Sequence, residues 1–170
     1  MFYAHVQQMK KQLGQIEKWL DAATAYAEQK KFDQNIFLAF RLAPDQLPLS
    51  AQIGIACDTA KLGAARLTGK EAPTHADNQT TIAELHARLQ SVQQWLGTLT
   101  AKDFEGAATR VITTPRWEGK TMTGQDYFIE HVQPNFGFHV AHTYAMLRHN
   151  GVPLGKKDYL GALTQTAPKT

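Results

Sequence analysis

The chain has 170 residues, 43% of them hydrophobic and 19% charged, which is the length of one domain with enough apolar side chains for a core of its own. No stretch approaches the ~18 unbroken apolar residues of a membrane span, and Met1–His5 lacks the basic and apolar regions of a secretory signal. The formal charge of +3 comes from Lys and Arg scattered along the chain, not from one basic stripe, which argues against a nucleic-acid partner.

The first predicted element is a long helix. Phe2, Val6, Met9, Leu13, Ile16, Leu20, Ala23 and Ala27 recur at alternating steps of four and three, the seam of a bundle helix. A polar, aromatic-containing connection follows from Gln29 to Asp45, and Pro44 and Pro48 bound the next start. The second helix is expected from Leu49 to Leu67. One stripe runs Leu49, Ile53, Ala56, Ala60, Gly63, Leu67; a second runs Ala51, Ile55, Leu62, Ala65, with Asp58 in its middle. A helix apolar on two sides is a central one, and its small residues allow close approach. Gly69 supplies a C-terminal stop.

Residues 70–79 read as a polar loop. Thr81 and Glu84 then form a capping box ahead of a third seam, Ile82, Leu85, Leu89, Val92, Leu96, Leu99. From Gly106 to Gly124 the β-prone run Arg110–Thr114, a turn at Pro115-Arg116 and a return from Trp117 to Met122 predict a small hairpin or extended loop. Thr123 with Asp126 caps the last helix, about Gly124 to Asn150, which Gly151 and Pro153 end. Pro134 lies inside it and is expected to bend it near Glu130. From Val152 onward the chain reads as a tail that packs partway and then frays. These elements predict an all-α, antiparallel four-helix bundle, one domain over residues 1–170.

Chemistry concentrates on the last helix. His131, Asn135, His139 and His142 are spaced four, four and three, which places them along one face. His131 and His139 are about 12 Å apart along the axis and cannot share one ion. A metal would take His139 with His142 or Asn135, plus a group from another helix, for which Asp58 and Cys57 are the candidates. The opposing reading makes His139 a hydrogen-bonded core histidine and Asp58 a carboxylate paired with Lys61 or Arg66. His5, His75, His86 and His149 read as solvent-facing or capping. Cys57, the only cysteine, reads as a small core residue; it allows no internal disulfide and fits a reducing cytoplasm. Trp19, Trp95 and Trp117 read as core filling.

Three stretches carry a family resemblance. They are Arg41–Asp45; Ala56-Cys57-Asp58-Thr59-Ala60-Lys61 with Ala65-Arg66-Leu67; and Pro134–Val140 leading to Leu147–Val152 and Gly155–Gly161. Together they resemble the domain-of-unknown-function 1993 family, which is placed near the DinB-like four-helix bundles. That resemblance implies a bundle of a kind in which many members hold a divalent metal on three histidines, and some act as thiol-dependent transferases or isomerases. Aligned on Leu147-Arg148, His139 falls on the second histidine of the last helix. Asn135 falls on the first, and the second-helix histidine falls near Asp58 or Thr59. Two of the three histidines are thus replaced.

The expectation is a DinB-like bundle with a polar pocket of Asp58, Lys61, Asn135, His139 and His142, acting on a small molecule without the three-histidine centre. The alternative is a non-catalytic ligand-binding or interaction module. No cofactor is expected; if a divalent transition metal binds, Asp58, His139 and His142 are its ligands. A homodimer in the cytoplasm is expected, paired through the long first seam.

Overall fold

The computed structural model describes residues 1–166. Four long helices carry the core: α1 (Phe2–Lys30), α2 (Leu49–Thr68), α3 (Ile82–Gly97) and α5 (Gln133–His149). Two short ones accompany them, α4 (Gly124–Asp126) just ahead of α5 and α6 (Lys156–Leu160) after it. The three seams read from sequence are the buried faces: Leu13, Ile16, Leu20, Ala23, Leu49, Ile53, Leu85, Leu89, Val92 and Leu96 are sealed from solvent. Each Leu, Ile or Val among them contributes about 2 kcal/mol through its removal from water. All eight α1 seam positions are buried within the chain itself.

Helix directions follow from side-chain partners. Gln7 bonds to Leu96, Glu17 to Gln93, and Asp21 pairs with His86, so α1 and α3 are antiparallel. Gln52 meets His139 while Thr59 meets Asn135, so α2 and α5 are antiparallel too. His5 packs on Phe128 and Trp19 on Tyr144, so α1 and α5 run the same way. The order is therefore up, down, down, up, and α2 and α3 are parallel neighbours.

Parallel consecutive helices need a connection that travels back along the bundle. A 20-residue α2 is about 30 Å long, and residues 70–81, extended, reach about 40 Å, so the loop is long enough to return. It does so as a strap in the α2–α3 groove, bonding Lys61 and Ser91 through His75 and Arg88 through Asp77 and Gln79. The polar loop of the sequence is thus a structural element. His75, expected to face solvent, is half-buried because the return path carries it between the two helices.

Other expectations meet their local physics. The capping box at Thr81 and Glu84 forms in both directions. The polar connection after α1 contains a 3₁₀ helix, Gln34–Ala39, that buries Phe37 and Leu38. Strands β1 (Val111–Ile112) and β2 (Met122–Thr123) pair antiparallel, making the small hairpin. Where a bend is expected near Glu130, the structure has a π-helical turn, Tyr127–Val132, which ends just before Pro134 at the start of α5. A π turn shifts the bonding register, so the donor that Pro134 lacks is not missed in a regular ladder. Gly151 has φ 94° and stops α5, with the Val152 amide returning to the Leu147 carbonyl. Beyond it Val152 and Leu154 are buried, and Tyr159 stacks on Trp19. The end of the expected fraying tail, 167–170, lies outside the described residues. No described helix is long and apolar enough to cross a membrane.

Candidate functional site

A helix turns roughly 100° per residue, so Gln52, Ala56, Thr59 and Gly63 share one side of α2, and Gly54, Asp58 and Lys61 share the opposite side. The five side chains singled out from sequence divide between these two sides.

On the first side α2 meets α5. Gly63 permits the approach: a Cβ there would stand 2.8 Å from Val132 Cγ1. The seam carries neutral polar groups. Asn135 Nδ2 donates to Thr59 Oγ1 at 2.7 Å, and the His139 Nδ1 lies 2.6 Å from Gln52 Oε1. Gln52 fixes the tautomer of that histidine. Its Nε2 donates to the Leu47 carbonyl at 3.2 Å, so its oxygen is the atom facing the ring. His139 Nδ1 must therefore carry the proton, and Nε2 keeps a lone pair that no group among the described residues takes up. Burial, and then the neighbouring His142, pull the His139 pKa down, so the ring is neutral at pH 7. His142 is turned back on its own helix; Nδ1 donates to the Phe138 carbonyl at 2.8 Å and the ring lies 3.9 Å from that of Phe138.

On the opposite side α2 meets α3 and the strap, and the groups are charged. Arg88, with its side chain 2% exposed, donates to Asp58 Oδ1 and Asp77 Oδ1, each at 2.8 Å, and to the Gly54 carbonyl at 3.3 Å. Gly54 leaves room for the guanidinium, since a Cβ would stand 3.3 Å from Nη1. Asp58 also pairs with Lys61 at 2.9 Å, as the sequence allowed; Arg66 instead donates to the Tyr127 hydroxyl. Lys61 is buried and reaches His75 Nδ1 at 2.8 Å; an ammonium can only donate, so His75 carries its proton on Nε2 and donates to Ser91 Oγ at 3.0 Å. Burial, with the Lys61 and Arg88 charges, lowers the His75 pKa. Ser91 and His75 thus resemble a nucleophile–base pair in composition only: the nitrogen facing the hydroxyl holds a proton and cannot accept another. Burial likewise pushes the Cys57 thiol up to about 12, which leaves it an unreactive core residue.

The structure therefore brings Asp58 and Lys61 together, and Asn135 and His139 onto one seam with His142 beside it; no hydrogen bond or ion pair among the described residues joins the two groups. Gln52, Arg88 and Ser91 were missed, and Thr59 entered only as a position aligned with the second-helix histidine. Gln52 and Thr59 are buried polar residues seven apart beside the small, apolar stripe of α2, and Arg88 is buried between Leu85 and Leu89 on α3; polar residues at core-facing positions were the available signal.

The sequence matches the family described as Domain of unknown function (DUF1993) over residues 1–160. The chain belongs to the DUF1993 family. A crystal structure of a DinB family member protein from Shewanella denitrificans has 50% sequence identity to it and a TM-score of 0.92, covering 96% of this chain and 93% of that one. No curated protein matches the chain. This DUF1993 protein thus has the DinB-like bundle fold.

That fold is compatible with a metal, and the donor set here can be tested against one. His139 offers a free Nε2, but the groups next to it, Asn135 and Thr59, are neutral oxygen and amide donors already bonded to each other. The Asp58 carboxylate is held by Arg88 and Lys61 on the other side of α2. Among the described residues no three of His, Cys, Asp and Glu gather to hold an ion. These residues do not fit a three-ligand transition-metal centre, which needs converging anionic or imidazole donors.

Proposed function

We propose that this DUF1993 bundle acts on a small molecule at the α2–α5 seam, with His139 Nε2 as a metal-independent general base. The observation that carries the reading is the Gln52 amide, which locks His139 as a neutral imidazole with its free lone pair on Nε2. A base poised near neutrality needs that protonation state and that fixed orientation. Asn135 Oδ1 offers a second acceptor, and His142 flanks the seam. In this reading Asp58 and Lys61 belong to the strap and take no part in the chemistry.

Nitrogen-15 NMR of the imidazoles tests the premise. His139 Nε2 is expected to give the unprotonated signal at pH 7; a protonated Nε2 would remove the base. A ligand screen by thermal shift, followed by turnover assays on the stabilising compounds, tests the activity. Loss of turnover in His139→Ala, assayed where the variant is still fully folded, supports an enzyme.

A non-catalytic ligand-binding or interaction module is favoured by one observation: Asn135, Thr59, Asp58 and Lys61 are already bonded to protein partners. A stability loss from His139→Ala well beyond about 2 kcal/mol, with no stabilising small molecule, would support it. The reading includes a cytoplasmic homodimer. Light scattering near the 18.9 kDa monomer mass would count against the pairing.

A further inference from the structure

A separate cleft of about 300 Å³ opens where the start of α2 faces the strap and the hairpin. It is independent of the His139 reading and borders the charged side of α2. Its apolar wall is Leu47, Ala51 and Ile55; its polar groups are Ser50, Gln79, Asp77, Arg88 and Arg116.

Three features of this cleft share one sign. The first is Arg116, exposed on the hairpin turn, which has no acidic partner among the described residues. The second is the N-terminus of α2, a 20-residue helix with Pro48 at its N-cap and no side-chain cap. Leu49 and Gln52 donate to the Phe40 and Pro48 carbonyls, while the Ser50 and Ala51 amides have no acceptor among the described residues. Unfilled first-turn amides carry the positive end of the helix dipole. The third is Arg88, whose side chain is almost wholly buried in the cleft wall and whose Nε has no acceptor. Asp77, the one carboxylate of the lining, is bonded to Arg88, so Arg116 leaves the cleft net positive.

We propose that this cleft binds a small organic carboxylate, its anionic end between Arg116 and the open first turn of α2 and its apolar body on Leu47, Ala51 and Ile55. An oxyanion supplies the acceptors that the Ser50 and Ala51 amides lack, and a guanidinium provides the matching charge-assisted bonds. The apolar wall excludes a fully hydrated ion as the preferred occupant, because burying Leu47 and Ile55 against a hydrocarbon body adds to binding.

The test is an amide NMR titration of the full chain with benzoate, alongside benzyl alcohol and inorganic phosphate. Benzoate is expected to shift the Ser50, Ala51 and Gly54 amides saturably, and benzyl alcohol to leave them in place. Arg116→Ala, at an exposed position, is expected to keep the fold and weaken benzoate roughly tenfold. Ser50→Asp puts a carboxylate at the open turn and is expected to abolish the shifts while preserving the helical circular dichroism. The proposal is overturned if benzoate gives no saturable shift at these amides below about 10 mM, or if Arg116→Ala binds it unchanged. Phosphate saturating the same amides while benzoate does not would overturn it as well.

Discussion

The two sides of α2 handle buried polarity by different rules. Toward α5 the groups are neutral, and each bond joins a pair: Asn135 with Thr59, His139 with Gln52. Toward α3 the groups are ionic and form a network in which Arg88 and Lys61 share Asp58 and each also holds the strap. A neutral pair can be desolvated at modest cost once it is bonded, so it tolerates the tight helix–helix seam. A guanidinium needs carboxylates, and these keep some contact with water: Asp58 is 29% and Asp77 78% exposed. The charged side holds the strap against α2 and α3, and the neutral side lets α2 and α5 pack closely.

Breaking the ionic side should cost most. Asp58→Ala leaves the buried Arg88 with only the exposed Asp77 as anion, and a loss of about 3 kcal/mol is expected in urea unfolding. The double variant Asp58→Ala, Arg88→Met removes the stranded charge and should recover more than half of that loss. If it does not, the guanidinium is not what makes the single change costly.

Breaking the neutral side should cost less. His139→Ala empties one bulky position and orphans the Gln52 oxygen, for about 2 kcal/mol. The pair Gln52→Leu, His139→Leu removes both polar partners and should fall well short of the Asp58→Ala loss. Equal losses would erase the distinction between the sides.

A smaller effect is expected at the point where the strap ends and α3 begins. Thr81→Ala removes the hydroxyl that accepts from the Glu84 amide at 3.2 Å and should cost about 1 kcal/mol by thermal melting.

Acidification sharpens the comparison. His139 and His75 both titrate below the ordinary histidine value of about 6.5, mainly because burial opposes their charged forms. The unfolded chain binds those protons more tightly, so stability is complete above pH 6.5 and declines as pH falls below it. His131 shifts in the same direction, also chiefly through burial. Asp103 works in another window: its bond to Lys70 lowers it to about 2, so its contribution holds above 3.8 and is lost as pH falls through 2. Replacing His139 or His75 should each flatten the upper part of the pH–stability curve; an unchanged slope in both would contradict the assigned neutral forms.

The bundle was legible because its signals are local and periodic. The seams of α1, α2 and α3, the Thr81–Glu84 box and the Gly69 and Gly151 stops all lie within a few residues of what they control. The pairing of Asp58 with Lys61 was legible for the same reason, being three positions apart on one helix. Arg88 was not, because its partners come from the strap and from α2, where Asp58 lies 30 residues away along the chain. The π turn before Pro134 was readable only as a bend, since a missing donor does not say how the ladder adjusts. The separation of Asp58 from His139 depends on which helices flank α2, and periodicity cannot rank neighbours. Gln52 could have been found, had a polar residue in a stripe of small side chains been weighed as heavily as a histidine.

The parallel course of α2 and α3 also bears on how the molecule assembles. Neighbours in sequence that run the same way cannot zip into a helical hairpin, so that junction provides no early local nucleus. The most extensive antiparallel contacts fall between α1 and α3 and between α2 and α5, and the bonds and ion pairs joining them span 65 to 89 residues. Long loops must close before those faces meet, and the entropy of closure comes ahead of the reward. This bundle should therefore fold more slowly than an up-and-down bundle of equal length, with the strap docking only once both helices are in place.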